Sequence, residues 1–190
     1  MTTNRRSRSL AVSAILLLVL GAAAPAHADW YIVSNPITKN PEAVWSNTPS
    51  GQSAANVLYS YLDGDKWADS TTLSQDGKDS STPVLAFDAS GGRKVAWETY
   101  DSAQILMKTL PSSGGSWSSS LTVSASGESA ALPSIVVFGD DTWVSYETVA
   151  AFTGGHSVKV AKVDSGGMVD RTLVRTTSWA WVRLGRRGRS

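Results

Sequence analysis

Cysteine is absent from this 190-residue sequence, and histidine occurs only twice. The lack of cysteine excludes disulfides, a lipid-linked cysteine and thiolate metal sites. His156 is the one histidine beyond the N-terminal segment, so it cannot build a His-rich zinc site by itself. No G-x-S-x-G elbow supports a Ser-His-Asp triad. The stability of the fold must therefore come from a buried core.

Long apolar runs are also missing outside the first 28 residues. Those residues combine a basic start (Arg5, Arg6 and Arg8), an apolar stretch from Leu10 to Leu20 and the triplet Ala26-His27-Ala28. This order is typical of a secretory signal peptide, and the apolar stretch is too short to span a bilayer of about 30 Å. We therefore predict a signal peptide over 1–28 and a secreted, extracytoplasmic mature chain without a transmembrane segment.

Arginine is scarce through the middle of the chain and concentrated at its end. Residues 29–170 carry 8 Lys+Arg against 16 Asp+Glu, whereas residues 171–190 carry six arginines and no acid. The acidic main part makes nucleic acid an unlikely partner. The non-repeating tail over 175–190 fits either an anion-binding segment or a truncated or frame-shifted end, and we favour the second.

The chain between these segments repeats itself about every 50 residues. Three residue pairs lie 50 positions apart: Trp67 and Trp117, Leu73 and Val123, Pro83 and Pro133. The strand-like run Val95–Thr99 returns as Val144–Thr148 at an offset of 49, and Ala43-Val44-Trp45 resembles its first half. Glycine- and serine-rich turns separate short β-favouring runs, and no helical spacing is present. Repeats of 40 to 50 residues with four strands each are typical of propeller blades.

We therefore predict an all-β domain over 29–174, built as about three four-stranded antiparallel blades of an incomplete β-propeller. A β-sandwich is the alternative. Three blades cannot close a ring, because propellers use four to eight. The chain is then a fragment, an open arc, or one half of a self-associated ring, and we favour the fragment.

The turn Gly114-Gly115-Ser116-Trp117, the strands beginning at Pro83 and Pro133, and the repeated Val95–Thr99 pattern resemble BNR-repeat, sialidase-like β-propellers. The Asp-box turn of that family is present only in degenerate form, since no aspartate precedes Trp117 at the required spacing. The resemblance implies a carbohydrate-related, secreted propeller. It also implies three arginines that clamp a substrate carboxylate, but 29–170 contains only Arg93. We therefore assign no complete sialidase site.

Glu98 and Glu147 occupy the same position of successive repeats, each after an aromatic residue. Glycosidases use two carboxylates, so this pair is the candidate for catalysis. The other interpretation is structural: a glutamate that recurs with the repeat accepts backbone N–H groups between blades. Ser46 stands at this position in the first repeat, so not every blade needs a carboxylate.

Other candidate sites are weaker. Trp97, Tyr146 and Arg93 are candidate ligand-binding residues, because aromatic faces and guanidinium groups recognise sugars and carboxylates. Asp63, Asp65 and Asp69 offer oxygen atoms that calcium accepts, but aspartates are common in hairpin turns and we favour solvated turn positions. No other metal or cofactor is expected.

The sequence supports two functions. One is a non-catalytic module that binds a glycan or cell-surface polymer, and the other is an exo-sialidase-like glycoside hydrolase or its remnant. Carboxylates buried between blades would favour the module, and a converging acidic cluster at a channel mouth would favour the enzyme.

Overall fold

The computed structural model describes residues 30–74, 77–149 and 156–174, and every regular element in these ranges is a β-strand. The predicted signal peptide over 1–28 and the arginine-rich tail over 175–190 lie outside the described residues. No helix in the described part is long and apolar enough to span a membrane.

The strands form three antiparallel sheets, each following chain order from one edge to the other. Sheet 1 consists of β1 (Trp30–Ser34), β2 (Pro41–Asn47), β3 (Asn56–Asp63), β4 (Lys66–Trp67) and β5 (Thr71–Thr72), with β4 and β5 both pairing with β3. Sheet 2 consists of β6 (Ser80–Phe87), β7 (Arg93–Thr99), β8 (Gln104–Leu110) and β9 (Leu121–Thr122). Sheet 3 consists of β10 (Ser129–Phe138), β11 (Asp141–Val149), β12 (His156–Val163) and β13 (Val169–Val174).

Each sheet packs face to face on the next, and two apolar clusters fill the two junctions. Strand β6 contacts β1, β2 and β3 of sheet 1, and β10 contacts β6, β7 and β8 of sheet 2. The first cluster joins Val44, Val57, Tyr59 and Leu73 to Leu85, Val95 and Trp97. The second cluster joins Ala96, Ile105, Met107 and Val123 to Ala130, Ile135, Val144, Tyr146, Ala161 and Val163. This succession of sheets confirms the predicted all-β fold of about three blades of an incomplete β-propeller, since a sandwich would have two sheets.

The backbone repeats the same hydrogen bonds at the positions that reveal the period. Leu73 N–H donates to Val57 C=O at 2.8 Å, and Val123 N–H donates to Ile105 C=O at 2.8 Å. Ser74 Oγ and Ser124 Oγ accept from Val57 N–H and Ile105 N–H. Leu73 and Val123 are both fully buried. The spacing of 50 residues therefore marks one structural device, which ties the end of the fourth strand to the third strand in both sheet 1 and sheet 2.

The repeated proline has a different role from the one predicted. Pro83 was expected to begin its strand, but β6 already begins at Ser80. Register shifts occur at Pro83 and again at Pro133, and the preceding residues Thr82 and Leu132 have positive φ angles of 47° and 54°. A β-bulge tolerates a residue without an N–H group. The prolines therefore mark a bulge in the first strand of sheets 2 and 3.

The fourth strand of the middle repeat is also shorter than expected. The sequence predicts it from Trp117 to Ser124, but β9 covers only Leu121–Thr122. Trp117 instead packs its ring against Tyr59 of sheet 1 in an edge-to-face contact, with ring centroids 5.1 Å apart.

Candidate functional site

Glu98, the first of the two catalytic candidates, is buried at the junction of sheets 2 and 3. Its side chain lies on β7 and the residue is only 4% exposed. One carboxylate oxygen accepts Ser81 Oγ–H at 2.9 Å, and the other accepts the N–H of Leu132 at 2.7 Å. Leu132 is the bulge residue of β10, in the next sheet. Glu98 thus links two blades through a backbone N–H, which is the structural role that we considered as the alternative to catalysis.

Glu147, the second candidate, stands on β11 at the equivalent position but has no further described sheet beside it. Its side chain is 31% exposed and forms an ion pair with His156 at the start of β12. Glu98 faces sheet 3, whereas Glu147 lies on the face of sheet 3 that points away from sheet 2. The two glutamates therefore lie on successive sheets in different surroundings, one buried and one partly exposed.

The two aromatic candidates are core residues. Trp97 has no exposed surface and packs in the first cluster, and Tyr146 is 1% exposed and packs in the second. A ring without accessible surface cannot stack on a sugar. The burial therefore argues against the ligand-binding role expected for both, and it explains why aromatic residues recur there: they fill the space between sheets.

Arg93 is used inside the protein as well. Its guanidinium group binds the carboxylate of Glu42 in a bidentate pair, with distances of 2.9 Å from Nε and 2.7 Å from Nη2. Tyr59 O–H and Asn35 Nδ2–H donate to the same carboxylate at 2.5 and 2.8 Å. The hydrogen bond to Glu42 raises the pKa of Arg93. Arg93 thus joins sheet 2 to sheet 1, which argues against the expected capture of a ligand carboxylate.

The calcium candidates do not form a cage. Asp63, Asp65 and Asp69 are all exposed, in or beside the hairpin that connects β3 to β4. Among the described residues, no group of three or more histidines, aspartates or glutamates is arranged to hold a metal ion. Solvated turn positions, the interpretation that we favour from the sequence, account for these aspartates.

Sequence reasoning missed a polar cluster at the second junction. Glu128 precedes β10 and forms an ion pair with Lys159 of β12, and it also accepts a long hydrogen bond of 3.4 Å from Tyr146 O–H. Burial and the nearby Glu128 raise the pKa of Tyr146 to about 12. Arg171 of β13 donates to the carbonyl oxygens of Val123 and Ser124. One sequence feature could have indicated this cluster: an acidic residue, Asp79 or Glu128, immediately precedes the first strand of sheets 2 and 3, and the two acids lie 49 residues apart.

A groove of about 810 Å³ lies between sheets 2 and 3. It is lined by three hairpin turns, after β6, β10 and β12, and by the segment 118–121. In an antiparallel meander these turns fall at the same edge of the sheets, which explains why residues from distant parts of the chain meet here. Leu121 is half-buried in the lining, and the buried side chains of Met107 and Val163 lie behind it.

The rim of the groove is polar and net acidic. Asp88, Asp140 and Asp164 line it together with Lys94 and several serine and threonine hydroxyls. Asp164 accepts hydrogen bonds from Gly166 N–H and Met168 N–H of its own turn. Asp140 is exposed.

Asp88 is held by its own turn. Burial alone would raise its pKa, but hydrogen bonds from Ser90 Oγ and Gly92 N–H and the charge of Lys94 outweigh burial, so the pKa of Asp88 lies below its ordinary value. The carboxylate is therefore an ionised acceptor at neutral pH.

No model of a known protein family matches this sequence, and no curated protein matches it either. Solved structures do match its fold. An α-L-arabinanase from Penicillium chrysogenum, complexed with arabinobiose, superposes with a TM-score of 0.56 at 12% identity over 79% of this chain and 51% of its own. A GH43 β-1,3-galactosidase superposes with a TM-score of 0.54 at 16% identity over 77% of this chain and 31% of its own.

A third neighbour is an exo-β-1,3-galactanase from Clostridium thermocellum, with a TM-score of 0.52 at 13% identity over 77% of this chain and 34% of its own. The chain thus spans between about a third and about half of the length of these three proteins. The neighbours include GH43 glycoside hydrolases with five-bladed propellers, so the expectation of a glycosidase-like propeller fold is confirmed. The finer resemblance to BNR-repeat sialidases finds no support among them.

Proposed function

We propose that this chain is an exported carbohydrate-binding propeller module, and that the groove between sheets 2 and 3 is where it binds a glycan or cell-surface polymer. The observation that carries the proposal is the composition of this groove. Carboxylates, hydroxyls and turn backbone surround the half-buried side chain of Leu121 in a space large enough for an oligosaccharide.

The chemistry of the groove suits neutral sugars. Sugar hydroxyls donate to ionised carboxylates, and such charge-assisted hydrogen bonds are stronger than neutral ones. Asp88 and Asp164 are held in place by their turns, so they lose little freedom when a ligand binds. The acidic balance disfavours sialylated or otherwise anionic glycans. We therefore propose neutral oligosaccharides, and not sialylated ones, as the ligands of this groove.

A glycoside hydrolase remains the second candidate, because several of the structural neighbours are glycoside hydrolases. Against it stands Glu98, whose two oxygens are both engaged in the blade junction. A retaining glycosidase needs two carboxyl groups about 5 Å apart at the scissile bond, and a buried carboxylate that accepts a backbone N–H is poorly placed for that. This favours binding without turnover.

Binding is tested with the purified protein on a panel of neutral arabino-, galacto- and gluco-oligosaccharides, with a sialylated oligosaccharide for comparison. Asp140→Asn should weaken the binding of a neutral ligand roughly tenfold, because one charge-assisted hydrogen bond is lost. Asp65→Asn is the matched control, since Asp65 is an exposed turn aspartate outside the groove. Equal effects of the two substitutions, or binding of the sialylated compound alone, would contradict the proposal.

Turnover is tested separately on aryl glycosides of the same sugars. We expect no release of the aryl group above the uncatalysed rate. Hydrolysis that disappears in Glu147→Gln but survives in Asp65→Asn would instead support the glycosidase, with Glu147 as a participating carboxylate.

A further inference from the structure

The junction of sheets 1 and 2 contains a closed polar cluster beside the hairpin that follows β1. The carboxylate of Glu42 accepts two hydrogen bonds from the guanidinium group of Arg93. It also accepts Tyr59 O–H and Asn35 Nδ2–H. Glu42 is 1% exposed, and Asn35 and Tyr59 are buried with it. Side chains of the two sheets therefore satisfy this carboxylate inside the protein.

The groove lies at the equivalent place of the junction of sheets 2 and 3. Tyr59 and Met107 pair with equivalent residues of β2 and β7, and Arg93 and Thr142 stand two residues before the repeated run that begins at Val95 and Val144. The repeat thus gives three pairs of counterparts, with the first junction named first: Glu42 and Lys94, Tyr59 and Met107, Arg93 and Thr142. All three residues of the second junction belong to the lining of the groove.

The second junction cannot close in the same way. Thr142 is uncharged and too short to reach across the junction as Arg93 does. Met107 has a thioether, which is a weak acceptor, where Tyr59 has a hydroxyl that donates. Lys94 therefore lacks the partners that the carboxylate of the first junction has, and the place of the guanidinium group is open space in the groove.

The ammonium group of Lys94 shares this space with the carboxylate of Asp88. Lys94 Nζ lies 3.7 Å from Asp88 Oδ2, which is longer than a hydrogen bond, and Lys94 makes no direct side-chain hydrogen bond within the described ranges. The other oxygen, Oδ1, accepts Ser90 N–H, Ser90 Oγ–H and Gly92 N–H of its own turn. The turn thus fixes the carboxylate, while Oδ2 and Nζ keep hydrogen-bonding capacity that they do not use on each other.

We propose, on the basis of the glycan binding proposed above, that Lys94 and Asp88 are the specificity-determining pair of the groove and bind a hydroxyl group of a neutral sugar. A hydroxyl both accepts and donates, so its oxygen accepts from Lys94 Nζ and its hydrogen is donated to Asp88 Oδ2. An oxygen about 2.8 Å from both atoms fits beside the pair. Because the two charges oppose each other, the pair selects a neutral hydroxyl over an anionic group.

The role of Lys94 is tested by calorimetric titration with neutral arabino-, galacto- and gluco-trisaccharides. Lys94→Met should weaken the binding of the tightest of these sugars by about tenfold, because a hydrogen bond from a charged donor is lost. Lys162→Met is the matched control. Lys162 is also a strand lysine paired with an aspartate, Asp141 at 2.8 Å, but it does not line the groove. The control should change the affinity by less than about twofold.

Monodeoxy analogues of the same trisaccharide identify the hydroxyl that is recognised. With the unaltered protein, removal of one particular hydroxyl should weaken binding by about tenfold. With Lys94→Met, removal of the same hydroxyl should have a clearly smaller effect, because the bond from the ammonium group is already gone. A purely structural role of Lys94 would weaken the binding of all analogues equally, which would overturn the proposal.

A triple variant, Lys94→Glu with Met107→Tyr and Thr142→Arg, copies the closed cluster of the first junction into the second. It should lose detectable sugar binding while its urea midpoint stays at or above that of the unaltered protein. Circular dichroism checks that each variant keeps its β-structure.

The outcomes separate this pair from the function of the groove. If the unaltered protein binds none of the neutral sugars, the proposed function fails and the pair fails with it. If Asp140→Asn weakens binding but Lys94→Met does not, the groove binds glycans and the specificity assigned to Lys94 and Asp88 is wrong. Undiminished binding by a folded triple variant would also overturn the assignment.

Discussion

Trp97 and Trp45 occupy the same position in successive repeats, but they have different environments. Trp97 is fully buried between sheets 1 and 2, whereas Trp45 lies on the face of sheet 1 that points away from sheet 2 and is only half-buried. Glu98 and Glu147 differ in the same way at the other side of the arc. The repeat therefore determines the chemistry of a face, and the place of the sheet in the arc determines whether that face becomes core or surface.

The largest effect should come from removing the buried member of the tryptophan pair. Trp97→Ala should lower the free energy of unfolding by about 3–5 kcal/mol, because it leaves a cavity in the first cluster. Trp45→Ala should cost no more than about half of that, because the half-buried side chain of Trp45 removes less apolar surface from water than Trp97 does. Urea denaturation of both variants measures the difference. Equal costs would show that the face of sheet 1 that carries Trp45 is covered in solution.

The glutamate pair should show the same asymmetry on a smaller scale. Glu98→Gln weakens two hydrogen bonds to a buried carboxylate and should cost about 1–3 kcal/mol. Glu147→Gln alters a partly exposed ion pair and should change the unfolding free energy by no more than about 0.5 kcal/mol. If Glu147→Gln is the more costly substitution, the face of sheet 3 that points away from sheet 2 is covered in solution.

The third effect concerns the two junctions between the sheets at high pH. Burial and the hydrogen bond to Glu42 raise the pKa of Tyr59, and burial together with Glu128 raises the pKa of Tyr146. Because the folded-state pKa lies above the ordinary value near 10, the stabilisation is complete below about pH 10 and is lost as pH rises towards the folded-state pKa.

The expected loss is about 1 kcal/mol for each tyrosine by pH 11. Denaturation at pH 8 and pH 11 measures it, and Tyr59→Phe should have a smaller dependence on pH than the unaltered protein. An unchanged dependence in Tyr59→Phe would mean that this tyrosine titrates normally in the folded state.

The sequence predicted the fold well because its landmarks are buried. Leu73 and Val123, and Val95 and Val144, recur at the right spacing because each fills an equivalent place between sheets. The bulges at Pro83 and Pro133 were missed, since a proline in a β-favouring run is compatible with either a strand start or a bulge.

The site was less predictable. Arg93 and Trp97 have side chains that suit a ligand, and only the packing of sheet 2 on sheet 1 shows that Glu42 and the core use them. The groove is formed by turns that are distant in sequence, so no local sequence motif predicts it. Function in this fold depends on which faces and turns meet, and a repeat pattern does not contain that information.

The short outer strands have a consequence for solubility. The outermost strands of sheets 1 and 2 are only two residues long, and in sheet 1 this position is divided between β4 and β5. A strand edge with so few consecutive unpaired amide and carbonyl groups is a poor template for pairing with a strand of another molecule. Short edge strands protect natural sheets from edge-to-edge aggregation in this way. Sheet 1 can thus expose large aromatic side chains, such as Trp30 and Trp67, without also offering a long free strand edge at this position to amyloid-type growth.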